Sequence, residues 1–179
     1  MDCAHLDRVL FVPSARPPHR GAATAPAEDR LAMTRLAVEG EPRFEVLDTE
    51  VKRGGMSYTA DTLNEVRRTR PDDELFLILG WDAARLFNTW HEPDRVRALA
   101  SVVIVGRPGT KTPSPSELAA SGLAPERVIK CFVATPDVSA TELRQALAAG
   151  QPVAGNLTPA VERYITSKHL YGDNRTVGT

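Results

Sequence analysis

Leu75-Phe76-Leu77-Ile78-Leu79-Gly80-Trp81-Asp82 decides the fold. Five consecutive apolar residues leave no alternation between a wet face and a dry one, so a strand here is covered on both sides, like a central strand of a parallel sheet. The run stops at Gly80-Trp81-Asp82, and helices are expected around Ala83 to Phe87 and Asp94 to Ala100. The same alternation extends in both directions. Downstream, Val102-Val103-Ile104-Val105 is a second two-faced run, ended by Gly106-Arg107-Pro108-Gly109, and Val128 to Val133 is a further strand. Upstream lie Val9-Leu10-Phe11-Val12, stopped by Pro13, and Phe44-Glu45-Val46-Leu47.

Helices fill the intervals. Residues 26 to 38 suit one, with Pro26 in its first turn, Glu28 and Asp29 at the positive end of the dipole, and Gly40 closing it. Thr59 is expected to cap a helix carrying Leu63 and Val66 that Pro71 terminates. Residues 110 to 126, rich in proline and serine, read as a surface excursion with one helical turn. The C-terminal third is helical. Ser139 and Glu142 match a capping box, Leu143 and Leu147 lie one turn apart, and Gly150 closes that helix. Thr158-Pro159 opens a last helix whose buried stripe is Val161, Tyr164 and Ile165. Strands alternating with helices predict an α/β protein: a Rossmann-like, doubly wound, mostly parallel sheet in a single domain over 1–179.

Composition bounds the function. The 179 residues are 42% hydrophobic and 25% charged, with a net charge of -1, so no overall field draws in nucleic acid or an anionic membrane. No apolar run approaches the roughly 20 residues of a bilayer span. The start, Met-Asp-Cys-Ala-His, has no signal-peptide pattern. The two cysteines, Cys3 and Cys131, show neither metal-ligand spacing nor a disulfide framework, and are expected to be reduced thiols in a cytoplasmic protein. No side-chain metal site is expected.

In doubly wound sheets, ligands bind beyond the carboxyl ends of the strands. That rule selects Pro13 to Arg20, Gly80 to Asp82, Gly106 to Gly109 and Pro136 to Arg144. Asp137-Val138-Ser139-Ala140-Thr141-Glu142-Leu143-Arg144 brings helix-start amides, two hydroxyls and a guanidinium together. It reads as a phosphate cradle, or as a helix cap with a solvated arginine. Arg16-Pro17-Pro18-His19-Arg20 is a stiff loop able to hold a phosphate or a carboxylate, or simply a charged proline loop; Arg107 poses the same choice. Trp90-His91 offers a stacking surface for an aromatic ring, or ordinary packing. Ser57-Tyr58-Thr59 reads first as a helix cap.

Taken together these segments resemble the bacterial nicotinate-nucleotide adenylyltransferases. Arg16-Pro17-Pro18-His19 is similar to the loop after that family's second strand, and Glu28-Asp29-Arg30-Leu31-Ala32-Met33 to its following helix. Ser57-Tyr58-Thr59-Ala60-Asp61-Thr62-Leu63 resembles its Ser-Tyr-Thr-x-Asp-Thr-Leu signature, and Leu79-Gly80-Trp81-Asp82 its Gly-x-Asp strand end. Thr89-Trp90-His91, Gly106-Arg107-Pro108-Gly109, Val138 to Arg144 and the ending His169-Leu170-Tyr171 complete the set, in order, from about residue 8 to 171. The resemblance implies transfer of AMP from ATP to nicotinate mononucleotide, giving deamido-NAD and pyrophosphate, with Mg²⁺ accompanying ATP. It implies that Ser139, Thr141 and Arg144 hold the ATP phosphates and that Gly80 and Asp82 line the adenosine side. It further implies that Trp90 stacks on the pyridine ring and Thr59 orients the nicotinate end, with His19, Arg20 and Arg107 as further substrate contacts. The alternatives are a nucleotide-binding relative with impaired catalysis and a phosphopantetheine adenylyltransferase. The latter shares the Ser-x-Thr-x-x-Arg element but is not expected to carry Ser-Tyr-Thr or Arg-Pro-Pro-His. A homo-oligomer is compatible with the pattern.

The family pattern opens with a strand and Gly-Gly-x-Phe-Asp-Pro-x-His-x-Gly-His, which the chain does not contain; His5 is followed by Leu6-Asp7-Arg8. One strand, loop and helix amount to about 25 residues. The expectation is that Met1 lies downstream of the natural start, and the catalytic histidines are therefore unassigned. Re-pairing of the sheet or a borrowed strand, and loss of the catalytic loop, are the alternatives.

Overall fold

A computed structural model describes residues 2–18, 25–106, 112–132, 138–153 and 155–172. In chain order the strands are β1 (Val9–Phe11), β2 (Phe44–Val46), β3 (Phe76–Gly80), β4 (Ser101–Gly106) and β5 (Val128–Phe132). The helices are α1 (Ala27–Val38), α2 (Thr49–Arg53), α3 (Thr59–Thr69), α4 (Trp81–Ala84), α5 (Pro93–Leu99), α6 (Pro115–Ala120), α7 (Ala140–Ala148) and α8 (Pro159–Ser167). The paired strands β1–β2, β3–β4 and β4–β5 are all parallel, as expected for an α/β chain of this type. The chain forms two compact units, Met1–Asp7 with Ser57–Pro136 and Arg8–Met56 with Asp137–Thr179.

The first unit is built on the sheet β3-β4-β5. In β4, side chains alternate between two apolar layers. Val102 and Ile104 join Ala60, Ala84, Phe87, Val96, Leu118 and Leu123 on one face. Val103 joins Cys131 and Ala4 on the other, flanked by Leu6, Phe76, Val105 and Ile129. The central, doubly covered strand is therefore β4. The expectation for Leu75 to Leu79 is corrected: among the described residues β3 is a sheet edge, and its Ile78 is 40% exposed. Apolarity on both faces does not tell a central strand from an edge.

Four further expectations change in this unit. The proline- and serine-rich excursion contains α6, whose Leu118 is fully buried. A capping box starts it: the Ser114 hydroxyl accepts from the Glu117 amide while the Glu117 carboxylate accepts from the Ser114 amide. It ends where the Leu123 amide donates to the Leu118 carbonyl and the Gly122 amide to the Ala119 carbonyl, with Gly122 at φ +81°. That left-handed ending suits glycine. Thr59 is the first residue of α3 rather than its cap; extended Tyr58 occupies the cap, and its carbonyl accepts from the Asp61 and Thr62 amides. The helix placed at Ala83 to Phe87 divides into α4 and a 3-10 turn at Phe87–Thr89. The thiols are also corrected: Cys3 and Cys131 form a disulfide, because the 3-10 turn Asp2–Ala4 packs on the end of β5.

The second unit pairs β1 with β2, where the Phe11 and Phe44 rings meet edge to face 5.2 Å apart. Helix α1 packs against α8, and the Tyr164 hydroxyl donates to Asp29 Oδ1 at 2.8 Å. That hydrogen bond is the largest reason the Tyr164 phenol lies above its ordinary value. Val161 and Ile165 are buried as the stripe requires, and Thr158 caps α8 by accepting from the Val161 amide. Arg30 ties α1 to the loop after β1, donating to the carbonyls of Ala15 and Ala25 and to the Ser14 hydroxyl.

Candidate active site

In the first unit the Ser-Tyr-Thr and Thr-Trp-His segments fold against each other. Tyr58, at the start of α3, stacks on His91 with ring centroids 4.0 Å apart and planes 30° apart. Their chain neighbours are Thr59 and Trp90, the two residues assigned to the nicotinate end. Trp90 is half-buried and lies 5.4 Å from the buried Phe87 ring. The Arg97 guanidinium also lies over the Phe87 ring, 5.7 Å from its centroid. The segment then turns through Glu92, which adopts left-handed backbone angles, φ 48° and ψ 56°. Its carboxylate accepts from Arg95 at 2.7 Å, and the same guanidinium nitrogen lies 3.6 Å from Asp61 on α3. The Arg95 hydrogen bond holds the Glu92 carboxyl below its ordinary range.

Gly80 and Asp82 sit where β3 passes into α4. Gly80 is exposed, with open space where a side chain would begin. The Asp82 side chain is 99% exposed and lies 3.6 Å from Arg85. Trp81, between them, packs on the core and anchors the turn. The carboxylate thus stands in solvent at a strand's carboxyl end, accessible to a polar ligand.

In the second unit, Ser139, Thr141 and Arg144 gather at the start of α7. Ser139 is its cap and accepts from the Glu142 amide. Arg144 donates to the Thr141 hydroxyl at 3.4 Å, one turn along. Ala140 and Thr141 are first-turn residues whose amides have no acceptor within a helix. Two hydroxyls, helix-start amides and a guanidinium therefore share one helix end, an arrangement that favours bound anions. Tyr171, in the His169-Leu170-Tyr171 ending, is half-buried; burial pushes its phenol up, and the Arg144 and Arg30 guanidiniums pull it back.

His19, Arg20 and Arg107 lie outside the described residues. Sequence reading did not find roles for Tyr58, Arg95 or Arg30. Tyr58 was legible only as a position inside a motif, and Arg30 and Arg95 as charges on helices. Their contacts are with residues distant in sequence or across a turn, and periodicity carries no signal for those.

The fold agrees with a match of residues 2–146 to the cytidylyltransferase-like family, which makes the chain a nucleotidyltransferase. It is 46% identical over 166 residues to a Thermus thermophilus protein named "Probable nicotinate-nucleotide adenylyltransferase", covering 93% of this chain and 84% of the relative. Relatives of the same name from Pseudomonas syringae pv. tomato and Shouchella clausii are 41% and 38% identical, covering 97% and 94% of this chain and 84% and 83% of their own. The chain belongs to the nicotinate-nucleotide adenylyltransferases, transferases of NAD biosynthesis. The fold is also that of the Plasmodium falciparum nicotinic acid mononucleotide adenylyltransferase complexed with NaAD, with a TM-score of 0.69 at 17% identity, covering 93% of this chain and 83% of that one.

Proposed function

We propose that this chain transfers the adenylyl group of ATP to the phosphate of nicotinate mononucleotide. A phosphate oxygen of the mononucleotide attacks the α-phosphorus of ATP in line; the bond to the β-phosphate oxygen breaks, and pyrophosphate leaves. The products are deamido-NAD and pyrophosphate, and no covalent enzyme intermediate is needed. Catalysis then rests on positioning and on stabilising phosphate charge. Ser139, Thr141 and Arg144 bind the ATP phosphates through the α7 start, Gly80 and Asp82 take the adenosine side, and Thr59 and Trp90 take the nicotinate end. His19, Arg20 and Arg107 are proposed as further substrate contacts.

The observation that carries this reading is the Tyr58–His91 stack, which places the Ser-Tyr-Thr and Thr-Trp-His segments side by side. A surface for a pyridine ring, as proposed for Trp90, would have no use in a phosphopantetheine adenylyltransferase. The reaction's divalent ion is proposed to be Mg²⁺. Among the described residues no three His, Cys, Asp or Glu side chains are grouped to hold a metal. Mg²⁺ binds mainly through phosphate oxygens and water in such sites, so it enters with ATP and neutralises its phosphates. Both substrates are intracellular phosphates, which supports action in the cytoplasm.

The test is to incubate the folded chain with ATP, Mg²⁺ and nicotinate mononucleotide and to follow pyrophosphate and the dinucleotide. Both should appear together, in equal amounts. ATP binding without turnover would overturn the enzyme reading in favour of a nucleotide-binding relative. Turnover with 4′-phosphopantetheine in place of nicotinate mononucleotide would overturn the substrate assignment.

A further inference from the structure

We propose that Tyr58 and His91 are positioning residues, forming a clamp that sets the distance and tilt between Thr59 and Trp90; the proposal rests on the assignment of those two residues to the nicotinate end. Both halves of the clamp are fixed by their own backbones. The Tyr58 carbonyl accepts from the Asp61 and Thr62 amides and from the Thr62 hydroxyl at 3.3 Å, so the ring leaves a helix start held at three points. On the other side the Trp90 amide donates to the Phe87 carbonyl, and the Glu92 carbonyl accepts from the Arg95 and Val96 amides. His91 is thus held between two anchored residues, with its ring stacked on Tyr58.

Two features indicate that this geometry is imposed. Glu92 is a non-glycine residue in the left-handed region, at φ 48°, a conformation that persists where the surroundings over-determine it. Arg95 then bridges Glu92 to Asp61, a second tie between the same two segments. A stack and an ion-pair bridge together restrict the 90–92 segment. Holding a stacking tryptophan and a hydroxyl in a fixed relation before the ligand arrives lowers the ordering cost of binding.

The test compares His91→Ala, which removes the stack, with His91→Phe, which keeps a ring. His91→Ala should raise KM for nicotinate mononucleotide about three- to tenfold, the range an aromatic pair is worth, with KM for ATP unchanged. His91→Phe should restore most of the loss. An independent readout needs no turnover: with 5-fluorotryptophan incorporated, the Trp90 fluorine resonance, assigned through Trp90→Phe, should broaden or shift in His91→Ala and return in His91→Phe. Equal rises in both KM values, or a Trp90 resonance identical in wild type and His91→Ala, would overturn the clamp. A wild type that turns over neither substrate would instead sink the functional assignment, and the fluorine spectra would still decide the clamp.

Discussion

Cys3 and Cys131, 128 positions apart, are joined by a disulfide across 5.9 Å between Cα atoms. It fastens the 3-10 turn Asp2–Ala4 to β5, where Ala4 and Leu6 lie on the sheet face formed by Val103, Val105 and Ile129. Protein purified without reductant should therefore be two hydrogens lighter than its sequence mass and bind no thiol reagent under denaturing conditions. Dithiothreitol, or Cys3→Ser, should lower stability by about 2–4 kcal/mol, the usual worth of a bridge closing a long loop. Chemical denaturation with and without reductant measures this. Equal midpoints would show that the bridge adds nothing.

Gly122 and His169 end helices in the same left-handed way but with opposite prospects for substitution. After α8 the His169 amide donates to the Thr166 carbonyl and the Leu170 amide to the Ile165 carbonyl, with His169 at φ 50°. A side chain there carries a steric cost that glycine avoids, so His169→Gly should stabilise by roughly 0.5–1 kcal/mol. Gly122, at φ +81°, has the Asn88 side chain where its own Cβ would go, and the Arg97 guanidinium donates to its carbonyl. Gly122→Ala should cost about 1–3 kcal/mol, from strain and displacement of Asn88. Thermal unfolding of the two variants should shift in opposite directions; the same sign for both would contradict the backbone argument.

The alternation of strands and helices was legible because the apolar runs at β3, β4 and β5 are short and interrupted by Gly or Pro. Their depth in the sheet was not, since Ile78 and Ile104 are chemically identical and differ only in what lies beside them. Helix α6 was obscured by Pro113 and Pro115, although Ser114 and Glu117 carried its capping box in plain view. The disulfide was invisible because spacing says nothing about two cysteines brought together by a chain returning from 128 residues away. The Ser-Tyr-Thr and Thr-Trp-His segments were legible as motifs but their contact was not, because a stack between Tyr58 and His91 leaves no periodic trace.

Arg144 and Trp90 should separate the two substrates. Arg144 stands one turn into α7 beside Thr141; in the proposed role, removing its guanidinium takes a charge-assisted contact from the ATP phosphates. Arg144→Ala is expected to weaken ATP about tenfold or more and nicotinate mononucleotide little. Trp90→Ala removes the stacking surface and should do the reverse, by about three- to tenfold. Calorimetric titration of each ligand into each variant supplies the four comparisons. Matching losses for both ligands in either variant would undo the role given to that residue.

The Glu92–Arg95–Asp61 bridge predicts how the turn after Trp90 responds to acid. Arg95 holds the folded-state carboxyl of Glu92 below its ordinary value of 4.5. A depressed folded-state value means the unfolded chain binds the proton more readily, so this contribution is complete above the ordinary value and is lost as pH falls through the folded one. Both side chains are well exposed, so the effect on global stability is small and screened by salt. It should be visible locally. As pH falls below the ordinary carboxyl value of 4.5, the Trp90 signal of wild type should move, as protonated Glu92 releases Arg95 and loosens the left-handed turn. In Glu92→Gln, which cannot titrate, that movement should be absent, and high salt should diminish it in wild type. A Trp90 transition of the same midpoint and size in Glu92→Gln would assign the acid response to another group.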